Sequence, residues 1–207
     1  MLKLRPVTLV LLALAFAAMP ARAQSDLPNP DLEEWVDTLG YPKPEGWWDS
    51  HNNWATVNNI SSYGLNRTFV NVQSGNFAAK LETITGDVFG LDVFRKYIPG
   101  VLTNGEPFLD PALQLVDEYG MGLDDVRGAQ PFDGMLESWS GFYEYTPAAG
   151  GDTAWFLVRL YREGDLIGEG SLEVTEATAD WTAFEVPVTY TVSMTAPDSA
   201  FFYVASS

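Results

Sequence analysis

The chain has 207 residues, with 28 Asp or Glu against 11 Lys or Arg, a single His and no Cys, a net charge of −17 at neutral pH. So acidic a surface repels nucleic acid and anionic lipid, which excludes both as partners. Without thiols, cysteine nucleophiles, disulfides and thiolate metal centres are excluded too, and the fold must rest on core packing.

The first element is a leader. Met1-Leu-Lys-Leu-Arg5 is basic, Val7 to Met19 is apolar, and Ala21-Arg22-Ala23 gives a small-x-small ending. The apolar run is too short to cross a bilayer, so residues 1–23 read as a secretory signal peptide cleaved near Ala23. Residues 24–207 are then one exported domain, expected to be secreted, periplasmic or held at the cell surface. Losing Lys3, Arg5 and Arg22 leaves 8 basic against 28 acidic residues, a balance of −20. No later stretch is apolar enough for a membrane span.

Beyond the leader, Gly and Pro (18 and 13) punctuate short segments rich in aromatic residues, Val and Thr. Period-two alternation predicts strands over Phe69–Val72, Phe77–Leu81, Val88–Phe94, Ser140–Tyr145, Ala154–Tyr161, Leu172–Val174, Phe184–Tyr190 and Ala200–Val204. Turn signals separate them, among them Ser74-Gly75-Asn76, Asn104-Gly105, Gly150-Gly151-Asp152 and Glu163-Gly164-Asp165. Between Pro99 and Phe132, Asp110-Pro111 and Gly120 bracket a run with the start and stop signals of a short helix. The expected fold is all-β: a two-sheet antiparallel β-sandwich of the jelly-roll kind, with a short helix in a long inter-strand connection. The chain stops at Ser207 directly after a strand, so the reading includes a domain lacking its last strand.

Three clusters carry candidate chemistry. Glu33, Asn29 and Asn76 offer the carboxylate, amide and carbonyl oxygens that a structural calcium takes, with Glu33 as the leading ligand. The loop Trp47-Trp48-Asp49-Ser50-His51-Asn52-Asn53-Trp54 combines stacking rings with amide donors. There Trp47 reads as a core anchor, and Trp48, Asn52 and Trp54 as exposed contacts. In the third cluster, alternation puts Phe156, Val158 and Leu160 on one face of a strand and Trp155, Leu157, Arg159 and Tyr161 on the other. If Tyr143 and Tyr145 of the preceding strand join that second face, rings and polar groups suited to a pyranose converge on an open sheet. The alternative is a sheet covered on both faces, its rings core and Arg159 paired to an acid.

Catalytic signatures are absent. There is no Gly-x-Ser-x-Gly elbow, phosphate-cradling glycine loop or dinucleotide fingerprint. A glycosidase needs two opposed carboxylates, and Glu137, Glu144 and Glu185 have no neighbourhood that marks them.

In order along the chain, "LPNPDLEEW" with "PEGWWDSHNNW", "SGNFAAKLET", and "PFDGMLESWSGFYEYTPAAGGDTAWFLVRLY" followed by "WTAFEVPVTY" and "PDSAFFYVASS" resemble the putative carbohydrate metabolism domain of exported Bacteroidetes-type proteins. Leu32 departs from that pattern where Phe is usual, Glu144 where Lys is common, and the family's further strand ending in Asp-Asp is missing. The resemblance implies a jelly roll akin to carbohydrate-binding modules, serving polysaccharide use at the cell surface. The resulting expectation is a non-catalytic module binding a polysaccharide or oligosaccharide, alone or within a larger cell-surface assembly. Its rivals are a structural or adhesive domain binding another protein, and a small glycoside hydrolase.

Overall fold

Frequent Gly, Pro and Asn keep the strands short until the last third of the chain, where alternating apolar residues support three long ones. The computed structural model describes residues 27–38, 40–50, 52, 63–87, 95–107, 126–148, 151–192 and 195–206. Among these lie sixteen strands: β1 (Trp35–Thr38), β2 (Tyr41–Pro44), β3 (Leu65–Thr68), β4 (Ala78–Leu81), β5 (Ile84–Asp87), β6 (Arg95–Ile98), β7 (Val101–Thr103) and β8 (Glu106–Pro107), then β9 (Val126–Arg127), β10 (Gln130–Pro131), β11 (Ser138–Tyr143), β12 (Ala154–Arg162), β13 (Asp165–Val174), β14 (Thr182–Pro187), β15 (Thr189–Tyr190) and β16 (Ser199–Ser206). The described pairings are antiparallel, so the all-β sandwich is the fold. No helix among the described residues is long and apolar enough to cross a membrane.

The main sheet is built on β12, which pairs with β13 on one side and β16 on the other. β15 extends the β13 edge at Gly168↔Tyr190 and Glu169↔Thr189. On the far edge of β16, β7 and β10 lie end to end. Between them the ladder is carried by a side chain. Fully buried Asn104 accepts from Phe202 N at 2.7 Å and donates to Ala200 O at 2.9 Å, so its amide substitutes for a peptide unit. Asn52 does the same for the Leu65 backbone, accepting at 3.2 Å and donating at 2.7 Å.

The second layer contains the β11–β14 pair and the β3–β4 hairpin, whose inward residues meet the main sheet in one apolar core. Half-buried Trp139 packs against it, with the rings of Phe202, Phe184 and Phe156 edge-on at 5.2, 5.5 and 6.0 Å between centroids. Such edge-to-face contacts add to the burial of the rings themselves. One strand path joins the layers at a corner: β14 lies on β11, and after Val188 the chain becomes β15 on β13. The crossing is close. A β-carbon on Gly170 would lie 2.3 Å from Pro187 O, so only glycine fits there.

Several strands differ from the sequence expectation. Phe69–Val72 is not a strand, because the β3–β4 ladder ends at Thr68↔Ala78 and Thr68 Oγ1 accepts from Val70 N to start a turn. Residues Ser138–Tyr143 form a strand in place of Ser140–Tyr145, since beyond Tyr143 the backbone turns to bond Thr178. β13 begins seven residues before the expected Leu172, with Gly168 and Gly170 hiding its alternation. The helix expected over 110–120, the strand over 88–94 and the leader lie outside the described residues.

Candidate functional site

β12 divides its side chains as alternation requires. Phe156, Val158 and Leu160 enter the main core, and Trp155, Leu157, Arg159 and Tyr161 point to the opposite face of the sheet. Beside them on the same face stand Phe201, Tyr203 and Ala205 from β16, and Glu169, Ser171 and Glu173 from β13. Leu157, Phe201 and Tyr203 are nevertheless buried, forming a second, smaller cluster with Val101 and Ala205. Phe201 and Tyr203 stack at 6.1 Å with their planes 21° apart. The outward face is therefore half closed. What stays accessible is Trp155, 39% exposed, with Ser171 and Glu173 beside it, and a groove about 13 Å from Trp155 along the strand at the Arg159–Tyr161 end.

That groove is open and has a volume of about 360 Å³. Its walls are Gly128, Ala129, Arg159, Tyr161, Gly164, Ser199 and Phe201. Arg159 Nε donates to Glu169 Oε2 at 2.6 Å, across the register pair joining β12 and β13. Partial burial opposes the guanidinium charge, but Glu169 and the Tyr161 hydroxyl outweigh it and raise its pKa. The result is a fixed donor beside an acceptor at the rim of a partly aromatic depression, an arrangement able to hydrogen-bond hydroxyl groups above an apolar floor.

Other expected contacts are placed differently. Tyr143 and Tyr145 do not share the Trp155 face, because β11 pairs with β14 in the opposite layer rather than with β12. Tyr143 packs inward on Phe156, with centroids 5.7 Å apart. Tyr145 is buried, its hydroxyl donating to Asp152 Oδ1 at 2.6 Å, and burial together with that carboxylate raises its pKa strongly. Trp48 is only 4% exposed and Nε1 donates to the Pro28 and Asn29 carbonyls, so it is the inward anchor, with half-buried Trp47 packed against the same core. Asn52 is consumed by the Leu65 backbone. Trp54 and His51 lie outside the described residues. Glu144, the charge-reversed position, accepts from the Asn71 amide.

The proposed calcium ligands are likewise engaged. Glu33 accepts from Asn76 N, Phe77 N and Asn76 Nδ2, all within 3.0 Å, and these donors hold its pKa below the ordinary value, Phe77 foremost. Asn29 takes Glu34 N on Oδ1 and donates to the Glu34 and Glu45 carbonyls. Hydrogens rather than lone pairs converge on Glu33, so the described atoms, as arranged, tie the 75–77 turn to the first hairpin and do not fit a calcium shell. Among the described residues no group of three or more acids or histidines could hold a metal ion.

A depressed folded pKa contributes stability above the unfolded value of about 4.5, and that contribution disappears as pH falls through the folded value. The melting-temperature gap between wild type and Glu33→Gln should accordingly be widest near neutrality and close in acid, unaltered by calcium or a chelator. A gap that grows on acidification, or that responds to calcium, would contradict this role.

No protein-family model matches the chain, and no curated protein matches its sequence. The resemblance drawn from the ordered motifs thus stands without a matching family model. Among solved structures, the chain is similar to a crystal structure described as a putative glycoside hydrolase from Bacteroides thetaiotaomicron, at a TM-score of 0.62 and 14% identity, with 84% of this chain and 62% of that one covered. A second, described as a putative glycoside hydrolase from Bacteroides vulgatus, aligns at a TM-score of 0.48 and 14% identity over 83% of this chain and 80% of that one. The chain thus spans less than two thirds of the length of the Bacteroides thetaiotaomicron protein. At such identity, the first match shows a shared β fold.

Proposed function

We propose that this protein is an exported, non-catalytic glycan-binding β-sandwich that acts alone or within a larger surface assembly. The observation that carries the reading is the groove between Tyr161 and Phe201, with the Arg159–Glu169 pair at its rim. A pyranose presents C–H groups to an aromatic surface and hydroxyls to a donor–acceptor pair, and this groove offers both. Trp155, on the same face, is a second stacking point for an oligosaccharide long enough to reach it. The Bacteroides thetaiotaomicron fold likeness, to a protein described in carbohydrate terms, agrees with this reading.

That same description favours hydrolysis as the second reading. Glycoside cleavage needs two carboxylates flanking the scissile bond, about 5–10 Å apart. The described groove lining contains no carboxylate, and Glu169, paired with Arg159 beside it, is a single acid with no second carboxylate opposed to it among the lining residues. Reducing-sugar release over a polysaccharide panel separates the two readings, with none expected.

Affinity electrophoresis on immobilised polysaccharides tests binding directly. Tyr161→Ala and Trp155→Ala are each expected to weaken retention about three- to tenfold, the worth of one stacked ring, with melting temperature nearly unchanged. Retention unaffected in both folded variants would remove the outward face of β12 from the proposal and favour a protein-binding surface.

A further inference from the structure

Arg159 is the one cation among the described lining residues, and Glu169 neutralises it at 2.6 Å. The next cation on the strand, Arg162, donates Nη1 to Ala196 O at 2.8 Å and lies beside Asp198. Asp198 is itself occupied by Glu163 N and the Ser199 hydroxyl. On β13, Glu173 adds a further carboxylate opposite Trp155. Among the described lining residues, a uronate or sulfated sugar would meet one cation already paired with a carboxylate, under the field of a chain with net charge −17.

The same pair suits an uncharged partner. A guanidinium N–H next to a carboxylate oxygen presents a donor and an acceptor side by side. Two adjacent hydroxyls match that pattern, one accepting from Arg159 and the other donating to Glu169. Exchange of the hydroxyl that donates to Glu169 for a carboxylate places two acceptors against each other.

Resting on the glycan-binding reading, we infer that the groove takes a neutral glycan through a vicinal diol held by Arg159 and Glu169, and that Glu169 rejects acidic sugars. The discriminating experiment measures retention of the protein and of Glu169→Gln on neutral polymers (mannan, xylan and β-glucan) and on polyuronates (polygalacturonate and alginate). Wild type should bind at least one neutral polymer and neither polyuronate. Glu169→Gln leaves the Arg159 charge uncompensated, so polyuronate retention should rise about tenfold or more while neutral retention falls. A melting curve confirms that the variant is folded, as expected for a substitution at a position 44% exposed. Wild type that prefers polyuronate, or Glu169→Gln that gains nothing for it, overturns the selectivity and leaves glycan binding standing. Wild type that binds no polymer of either kind overturns the glycan reading and this inference together.

Discussion

Phe202→Ala should be among the most damaging truncations, lowering stability by about 3–5 kcal/mol. The ring is fully buried on β16, the interior strand that joins β12 to both β7 and β10. It lies 5.2 Å from the Trp139 ring and 6.4 Å from that of Trp48, between two indoles. The strand cannot move inward to fill the gap, because its neighbours hold it on both edges. Against a typical domain stability of about 5–15 kcal/mol, the loss is a large share of the whole. Urea titration followed by tryptophan fluorescence should show a much lower midpoint with an unchanged slope. A shift worth under about 1 kcal/mol would mean that the surrounding rings close over the cavity.

Asn104 is the second such position, for a different reason. Its amide satisfies Phe202 N and Ala200 O inside a sheet where water has no access. Asn104→Ala leaves both unmatched, a cost of roughly 2–6 kcal/mol at about 1–3 for each buried group. Asn104→Asp separates hydrogen bonding from packing. The carboxylate still accepts from Phe202 N but faces Ala200 O with no proton to give. Burial and that opposed carbonyl should raise its folded pKa above the unfolded value of about 3.9. The sign is then opposite to that of Glu33. The Asp variant should gain stability as pH falls and lose it as pH rises past the unfolded value, whereas the Ala variant should show no such recovery. If Asp and Ala respond to pH alike, the amide is not bridging the ladder. Because Phe201 floors the groove beside these bonds, a folded Asn104 variant should also retain less polysaccharide.

The two positions differ in how far the sequence reveals them. Phe202 belongs to an evident apolar strand, and a core role follows from its company. Asn104 sits in an Asn-Gly pair that reads as an ordinary turn. Only the end-to-end placement of β7 and β10 against β16 turns its side chain into a rung of the sheet. Glu33 is similar: its acidity and its neighbours suggest a cation, and three converging N–H groups are a matter of chain geometry.

Side-chain alternation is local, so the stretch from Ala154 to Tyr161 by itself determined which residues of β12 face the core and which face away. Which strands become neighbours depends on contacts far apart in the chain, where local pattern carries no information. Tertiary structure alone therefore decided that β11 joins the opposite layer, turning Tyr143 and Tyr145 inward. It also decided that the outward face is closed over Leu157, Phe201 and Tyr203, leaving open the end where Arg159 meets Glu169. Alternation says which way a side chain points, and only packing says what it meets there.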